Sequence, residues 1–284
     1  MTDTIIKVES LTKDYKRGRG IFDIDLEIKK GECFGYIGTN GSGKTTTIRS
    51  IMGFVKPDNG RVTVLGMDAW SDATEIKKHV SYIPGEIAFP PLKTGLDFLK
   101  KQAEYLQIRD LSYMEQLLDR FQLDPTANLA RMSKGMKQKT ALVAALMADR
   151  EILILDEPTT GLDPLMREVF IDIINSEKKR GKTIFISNHI FEEVEELCDR
   201  TAFIKDGRIL DIVFLDELRE NHRSLFRVGF YDNNEELDLT LHHGETDRLF
   251  AALKGRNVKY IKEDAYTLED YFNEAYKRGA EANE

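Results

Sequence analysis

Ile24, Leu26 and Ile28 alternate with Asp23, Asp25 and Glu27, a period of two that predicts a strand with one face buried and one in water. Residues 5–35 read as strands of this kind. Gly35-Tyr36-Ile37-Gly38 is a short apolar strand leading into a glycine-rich turn, and Thr45 to Met52 is the helix after it. Arg61–Gly66 and Val80–Ile83 are further strands, the second stopped by Pro84-Gly85.

The pattern then changes to helical spacing. Thr94 with Asp97, and Ser112 with Glu115, each read as a capping box. Met114, Leu117, Leu118 and Phe121 fall on one face of the helix after the second box. Strand and helix alternate again from Ile152–Leu155, through Thr183–Ser187 and an acidic-faced helix Phe191–Cys198, to Ala202–Ile204. Glu192, Glu193, Glu195 and Glu196 read as a solvated face around Phe191, Val194 and Leu197. Such alternation argues for a doubly wound, largely parallel sheet. Residues 216–284 fit neither pattern and read as a small C-terminal α+β appendage. In its last helix, capped by Thr267 and Asp270, Leu268, Tyr271, Phe272, Ala275 and Tyr276 form an apolar stripe.

Composition changes this picture little. The chain has 284 residues with 41% apolar and 32% charged, an ordinary globular balance. A net charge of −8 argues against a nucleic-acid partner, which needs a basic face. No apolar run approaches the ~20 residues that span a bilayer. The N-terminus lacks the basic start and apolar core of a signal peptide. Two cysteines, Cys33 and Cys198, stand far apart in the sequence and suit a reducing, cytoplasmic setting as buried thiols rather than a disulfide or metal site.

The chemistry is concentrated in two stretches. Gly38-Thr39-Asn40-Gly41-Ser42-Gly43-Lys44-Thr45 fits G-x-x-x-x-G-K-[ST] at every required position, between a strand and a helix. Its glycines let backbone N–H groups approach phosphate oxygens, and the helix adds its positive end. Lys44 can reach the terminal phosphates and Thr45 can offer a hydroxyl to Mg²⁺. Four apolar residues, Ile152–Leu155, deliver Asp156 and Glu157 to a strand end, where ligands bind in open α/β sheets. Asp156 there suits Mg²⁺, and Glu157 suits the attacking water.

With these residues in order, the chain resembles the ATP-binding subunit of an ABC transporter over residues 5–215. Gly38–Thr46, including Thr46, is similar to the Walker A loop, Ile152–Glu157 to Walker B, and Ser133-Lys134-Gly135-Met136 to the signature sequence. Thr160–Asp163 resembles the D-loop, with Asp163 as its acid. His189 stands where the family has a switch histidine, and Tyr15 where an aromatic stacks on adenine.

The resemblance implies a P-loop NTPase core with a mixed, largely parallel sheet. It adds an N-terminal antiparallel β subdomain and a helical insert at about 90–145, all within an ATP-binding domain of 1–215. It implies ATP and Mg²⁺ as ligands, and Glu157 and His189 as catalytic residues. It further implies a head-to-tail dimer with itself or a homologous subunit, in which the signature of one copy meets the ATP of the other. The partner would be an integral membrane permease, the place the cytoplasmic face of the membrane, and the direction export.

Two departures stand out. The usual Leu-Ser-Gly-Gly-Gln is here Met132-Ser133-Lys134-Gly135-Met136, which keeps the serine and one glycine. Where the family has a glutamine touching Mg²⁺ and water, Pro84 is followed by Gly85 and Glu86. A glycine has no side chain for that contact. Two alternatives remain at this level, a soluble ABC-type ATPase and a nucleotide switch that is not engaged in transport.

Overall fold

The structure is a computed structural model that describes residues 4–220, 223–231, 236–242 and 244–281. It divides into two compact units, Met1–Ile209 and Leu210–Glu284.

In the first unit, β1 (Thr4–Asp14) and β2 (Gly20–Lys29) form an antiparallel hairpin. In β2, Ile24, Leu26 and Ile28 are buried while Asp23, Asp25 and Glu27 are exposed, as the alternation requires. The short strand β3 (Cys33–Ile37) follows, buried at every position, and then α1 (Lys44–Ile51). β4 (Asn59–Val64) pairs with β1, and β5 (Met67–Asp68) with β4, giving an antiparallel sheet of order β2-β1-β4-β5. A short helix α2 (Ala73–Ile76) leads to β6 (Val80–Ile83).

The insert carries α3 (Gly95–Tyr105), α4 (Ser112–Arg120) and α5 (Lys134–Leu146). The Thr94–Asp97 capping box forms with both reciprocal bonds. The Ser112–Glu115 box does not. Ser112 is already inside α4, and its backbone N–H is taken by the Asp110 carboxylate at 2.9 Å, so the turn before the helix supplies the acceptor.

β7 (Ile152–Asp156) starts a second series with α6 (Pro164–Lys179), β8 (Thr183–Asn188), α7 (Phe191–Leu197), β9 (Arg200–Lys205) and β10 (Arg208–Phe214). The large sheet runs β10-β9-β3-β8-β7-β6, with β9-β3-β8-β7-β6 parallel. β3, β7 and β8 are buried at every residue, the signature of strands covered on both faces. Phe185 of β8 packs on Tyr36 of β3 with ring centroids 5.5 Å apart. Among the described residues no helix is long and apolar enough to cross a membrane.

The two cysteines are neighbours in space. Cys33 on β3 and Cys198 after α7 are both buried free thiols with sulfurs 3.7 Å apart, because the parallel sheet folds residue 198 back onto the start of the central strand. Burial pushes the Cys198 thiol up, so it stays protonated and inert.

The second unit contains α8 (Leu215–Glu220), β11 (Arg223–Phe230), β12 (Glu236–His242), α9 (Thr246–Leu253), β13 (Val258–Ala265) and α10 (Leu268–Glu281). Its antiparallel sheet, β12-β11-β13, buries Val228, Phe230 and Leu241 with Leu249 of α9. Thr267 and Asp270 cap α10, which buries Leu268, Phe272 and Ala275, while the Tyr276 side chain lies outside the described residues. The unit begins at Leu210, and within it Ile212–Phe214, Glu217 and Leu218 line one cavity of about 350 Å³ with Tyr266 and Tyr271. The Tyr271 hydroxyl also donates to Asp211 at 2.8 Å.

Candidate active site

Strand register gathers the chemistry. Ile37 of β3 lies opposite Asn188 of β8, and Ser187 of β8 opposite Asp156 of β7. The phosphate loop, the Asp156-Glu157 pair and the His189 loop therefore leave one edge of the sheet side by side. Ile83 of β6 pairs with Leu155, which carries Pro84-Gly85 to the same edge.

In the loop, Gly43 adopts φ of 116°, a conformation that disfavours side chains, and a Cβ there would lie 2.6 Å from Ile21 Cγ2. A Cβ on Gly38 would lie 2.4 Å from the Ile204 carbonyl oxygen. Sheet and loop are pressed together with no room for a side chain at either position. Thr39, Asn40 and Gly41 are exposed, whereas Ser42 and Lys44 are buried. The Ser42 hydroxyl has no hydrogen-bond partner among the described residues, an uncompensated polar atom at the mouth of a helix. The first N–H groups of α1 also lack intrahelical acceptors. Together they make a cradle for an anion.

Lys44 is only 5% exposed; its ammonium donates to the Gly38 carbonyl at 2.6 Å and lies 3.4 Å from Glu157 Oε1. The Thr45 hydroxyl donates to Asp156 Oδ2 at 2.8 Å, and Ser187 donates to Asp156 Oδ1. Asp156 is fully buried. Thr45 and Asp156 thus present hard oxygens side by side, the donor set for Mg²⁺, which takes one or two protein ligands and keeps water and phosphate for the rest. No cluster of three or more His, Cys, Asp or Glu with metal-site geometry occurs among the described residues.

Glu157 sits at φ of 49°, held there by its N–H donating to the Ser187 carbonyl at 3.1 Å and hydroxyl at 3.2 Å. Its carboxylate is 3.5 Å from His189 Nδ1. Thr46 is half-buried on α1 beside this cluster. Tyr82 of β6 is driven up to about 12 by burial, with the Asp156 charge adding to the effect, and so stays a neutral phenol.

Gly85 stands over the same acid, since a Cβ there would be 3.2 Å from Asp156 Oδ2. Glu86 is exposed. Tyr15, 49% exposed, opens the turn between β1 and β2. That turn ends at Gly20, whose carbonyl would be 3.5 Å from a Cβ on Gly43. The exposed ring carries the Lys13 ammonium 6.0 Å from its centroid.

The remaining predicted residues form a second cluster. Ser133 is the N-cap of α5, its hydroxyl accepting from Met136 N–H at 3.2 Å. Gly135 is needed by its neighbour, because a Cβ there would be 2.7 Å from the Gly161 carbonyl. Lys134 lays its stem over Gly161, with Lys134 Cγ 3.0 Å from where a Gly161 Cβ would stand. Asp163 caps α6, accepting from Met166 N–H at 3.0 Å. The buried Gln138 amide ties α5 to the Asp156-Glu157 turn by donating to the Pro158 carbonyl at 2.7 Å.

The acidic helix differs from expectation. Glu193 is not solvated but buried, and its carboxylate accepts from Thr159 at 2.7 Å and Asn188 at 2.6 Å. Phe191 is only half-buried. A signal was present, since Glu193 precedes Leu197 by one helical turn and adjoins Val194, both buried. Ser187, which orders both acids, had no such signal.

The family model described as "ABC transporter" matches residues 21–160. The bacitracin transport ATP-binding protein BcrA of Bacillus licheniformis is 31% identical over 95% of this chain and 96% of its own length. A Nod factor export ATP-binding protein I of Burkholderia orbicola is 32% identical over 94% of this chain and 95% of its own. A solved ATP-binding subunit of an ABC transporter superposes with a TM-score of 0.69 at 30% identity, covering 76% of this chain and 92% of that one.

Proposed function

This chain belongs to the ABC transporter family as one of its ATP-binding, ATP-hydrolysing subunits, and we propose that it powers export through a separate membrane permease. The observation that carries the reading is the shared strand edge, where the phosphate cradle, Asp156, Glu157 and His189 converge.

ATP binds with its phosphates in the N–H groups of Gly38–Thr46, with Lys44 against the terminal phosphates. Tyr15 stacks on the adenine. Thr45 and Asp156 would hold Mg²⁺, which would supply positive charge beside the phosphate oxygens. Glu157 aligns the attacking water and accepts its proton, and His189, 3.5 Å from that carboxylate, contacts the γ-phosphate. ATP-dependent closure joins two copies head to tail, so that Ser133, Lys134, Gly135, Met136 and Asp163 face the ATP held by the partner. The helical insert and the loop 84–94 receive the permease on the cytoplasmic side. Export is supported by the Nod factor export relative. ATP turnover by the purified chain, with co-purification of an integral membrane protein, tests the proposal. Turnover without such a partner would favour the soluble ATPase, and binding without turnover the nucleotide switch.

The composite site has its own test. Ser133→Arg and Glu157→Gln chains should each be inactive alone. When they pair, both lesions fall on one site and the other site is intact. Mixing is therefore expected to restore ATP turnover, and its absence at every ratio would exclude the head-to-tail arrangement.

Gly85→Gln is expected to fold normally, since Gly85 does not use the left-handed region. Its side chain enters beside Asp156, so kcat should equal or exceed that of the wild type. A fall in kcat at unchanged KM would show that the Asp156 carboxylate has no room to give way.

A further inference from the structure

We propose that Glu193 is a positioning residue of the hydrolytic site, one carboxylate that holds the His189 loop, the turn after Glu157 and the first turns of α6 in a common register. The proposal rests on the ATP-hydrolysing role of the edge described above.

Glu193 is 5% exposed. Its Oε2 accepts from the Thr159 hydroxyl at 2.7 Å and from the Asn188 amide at 2.6 Å. Its Oε1 faces Arg167 Nε at 3.8 Å, and neither of these two atoms has a hydrogen-bond partner among the described residues. Each donor belongs to a different part of the machinery. Asn188 adjoins His189, Thr159 follows Glu157 by two residues, and Arg167 lies one turn beyond Asp163 at the start of α6.

The carboxylate also decides which way Asn188 points. Because the amide nitrogen donates to Glu193, the amide oxygen turns to the backbone, accepting from His189 N–H at 2.8 Å and Ile190 N–H at 3.1 Å. That bend sets the direction of the histidine. On the other side, Thr159 accepts Leu162 N–H at its carbonyl (3.0 Å), and Thr160 N–H returns to the Glu157 carbonyl (3.2 Å). Anchoring Thr159 therefore fixes the turn that carries Glu157. A buried carboxylate with one countercharge beyond hydrogen-bond length returns little net stability for its desolvation. Its value lies in geometry. Two donors lie within hydrogen-bond length and Arg167 stands as a countercharge at 3.8 Å, so a group that accepts at both ends suits all three.

Glu193→Gln tests this without a change of volume. If the new NH₂ faces Thr159 and Asn188 it opposes the Asn188 amide N–H and forces the Thr159 hydroxyl to turn and accept, and if it faces Arg167 it meets a cation. The expected result is a fall in kcat of about tenfold with KM for ATP unchanged, since sub-ångström displacement of reacting groups is costly while the phosphate loop is untouched. Arg167→Met in the Glu193→Gln background removes the competing donor and lets the amide oxygen turn to Thr159 and Asn188. It should restore kcat to the level of Arg167→Met alone.

A merely structural role would lower the folded fraction and the melting temperature, and the second substitution would not rescue it. Wild-type kcat in Glu193→Gln, or a loss that Arg167→Met does not recover, overturns the proposal. Absence of turnover by the wild-type chain would instead refute the hydrolytic reading. The His189 imidazole NMR resonance, assigned by its disappearance in His189→Gln, then still reads the joint. It should shift in Glu193→Gln and return in the double variant, and an unmoved resonance overturns the proposal.

Discussion

Glu157→Gln is expected to lower ATP turnover by about 10²–10³-fold while ATP affinity stays near that of the wild type, the loss associated with removing a positioned general base. The substitution keeps shape and backbone. Glu157 is held at φ of 49° by two hydrogen bonds from its own N–H to Ser187, which the side chain does not share. What changes is charge. The carboxylate lies 3.4 Å from Lys44 and 3.5 Å from His189, between a cation and an imidazole. An amide there cannot take the proton of water, and it frees Lys44 from a countercharge. Binding is therefore maintained or strengthened, and the ATP-bound closed dimer should accumulate. Single-turnover kinetics and the oligomeric state with ATP, by size-exclusion chromatography, measure the two parts separately. Undiminished turnover would remove Glu157 from the mechanism.

Lys44→Met should have the second largest effect, and on the other parameter. The methionine fills the buried stem but removes the ammonium, which now donates to the Gly38 carbonyl at 2.6 Å and the Thr39 carbonyl at 3.3 Å. A hydrogen bond to a charged group is worth about 1.5–3 kcal/mol, so ATP affinity is expected to fall roughly ten- to hundredfold. The readout is thermal. ATP should raise the Tm of the wild-type chain in proportion to the logarithm of its concentration over Kd, and the variant should show that rise only at much higher concentration. Equal shifts in both chains would mean that Lys44 does not contact the nucleotide.

The backbone elements were legible where the signal is local. Gly43 announces its left-handed turn, and Ile152–Leu155 announces a strand buried on both faces, with Asp156 at its end. The Thr94–Asp97 box formed for the same reason, since both its bonds close within one turn. The Ser112–Glu115 box, equally good by pattern, lost to Asp110, an acceptor two residues nearer the chain reversal. Local rules compete, and pattern matching does not rank them.

Glu193 shows the other limit. Four glutamates in one short helix read as solvent-facing, and three of them are exposed or half-buried. The fourth is buried against Thr159, 34 residues before it, and Asn188, at the end of β8 and 5 residues before it, both of which donate to it. Cys33 and Cys198 are adjacent for a related reason, being brought together by a sheet whose strand order is not the chain order.

By itself the sequence marked Gly38–Thr45 as a phosphate-loop pattern and Ile152–Leu155 as a buried strand ending in an acid, because backbone conformation at glycine and the burial of apolar runs are properties of a few consecutive residues. Only the tertiary structure decided how those residues are aimed. It set Asp156 between Thr45 and Ser187, laid Gly135 against Gly161, and turned Glu193 from a surface charge into a buried acceptor. Those outcomes depend on which strand ends lie side by side, and that order follows from burying the whole core at once.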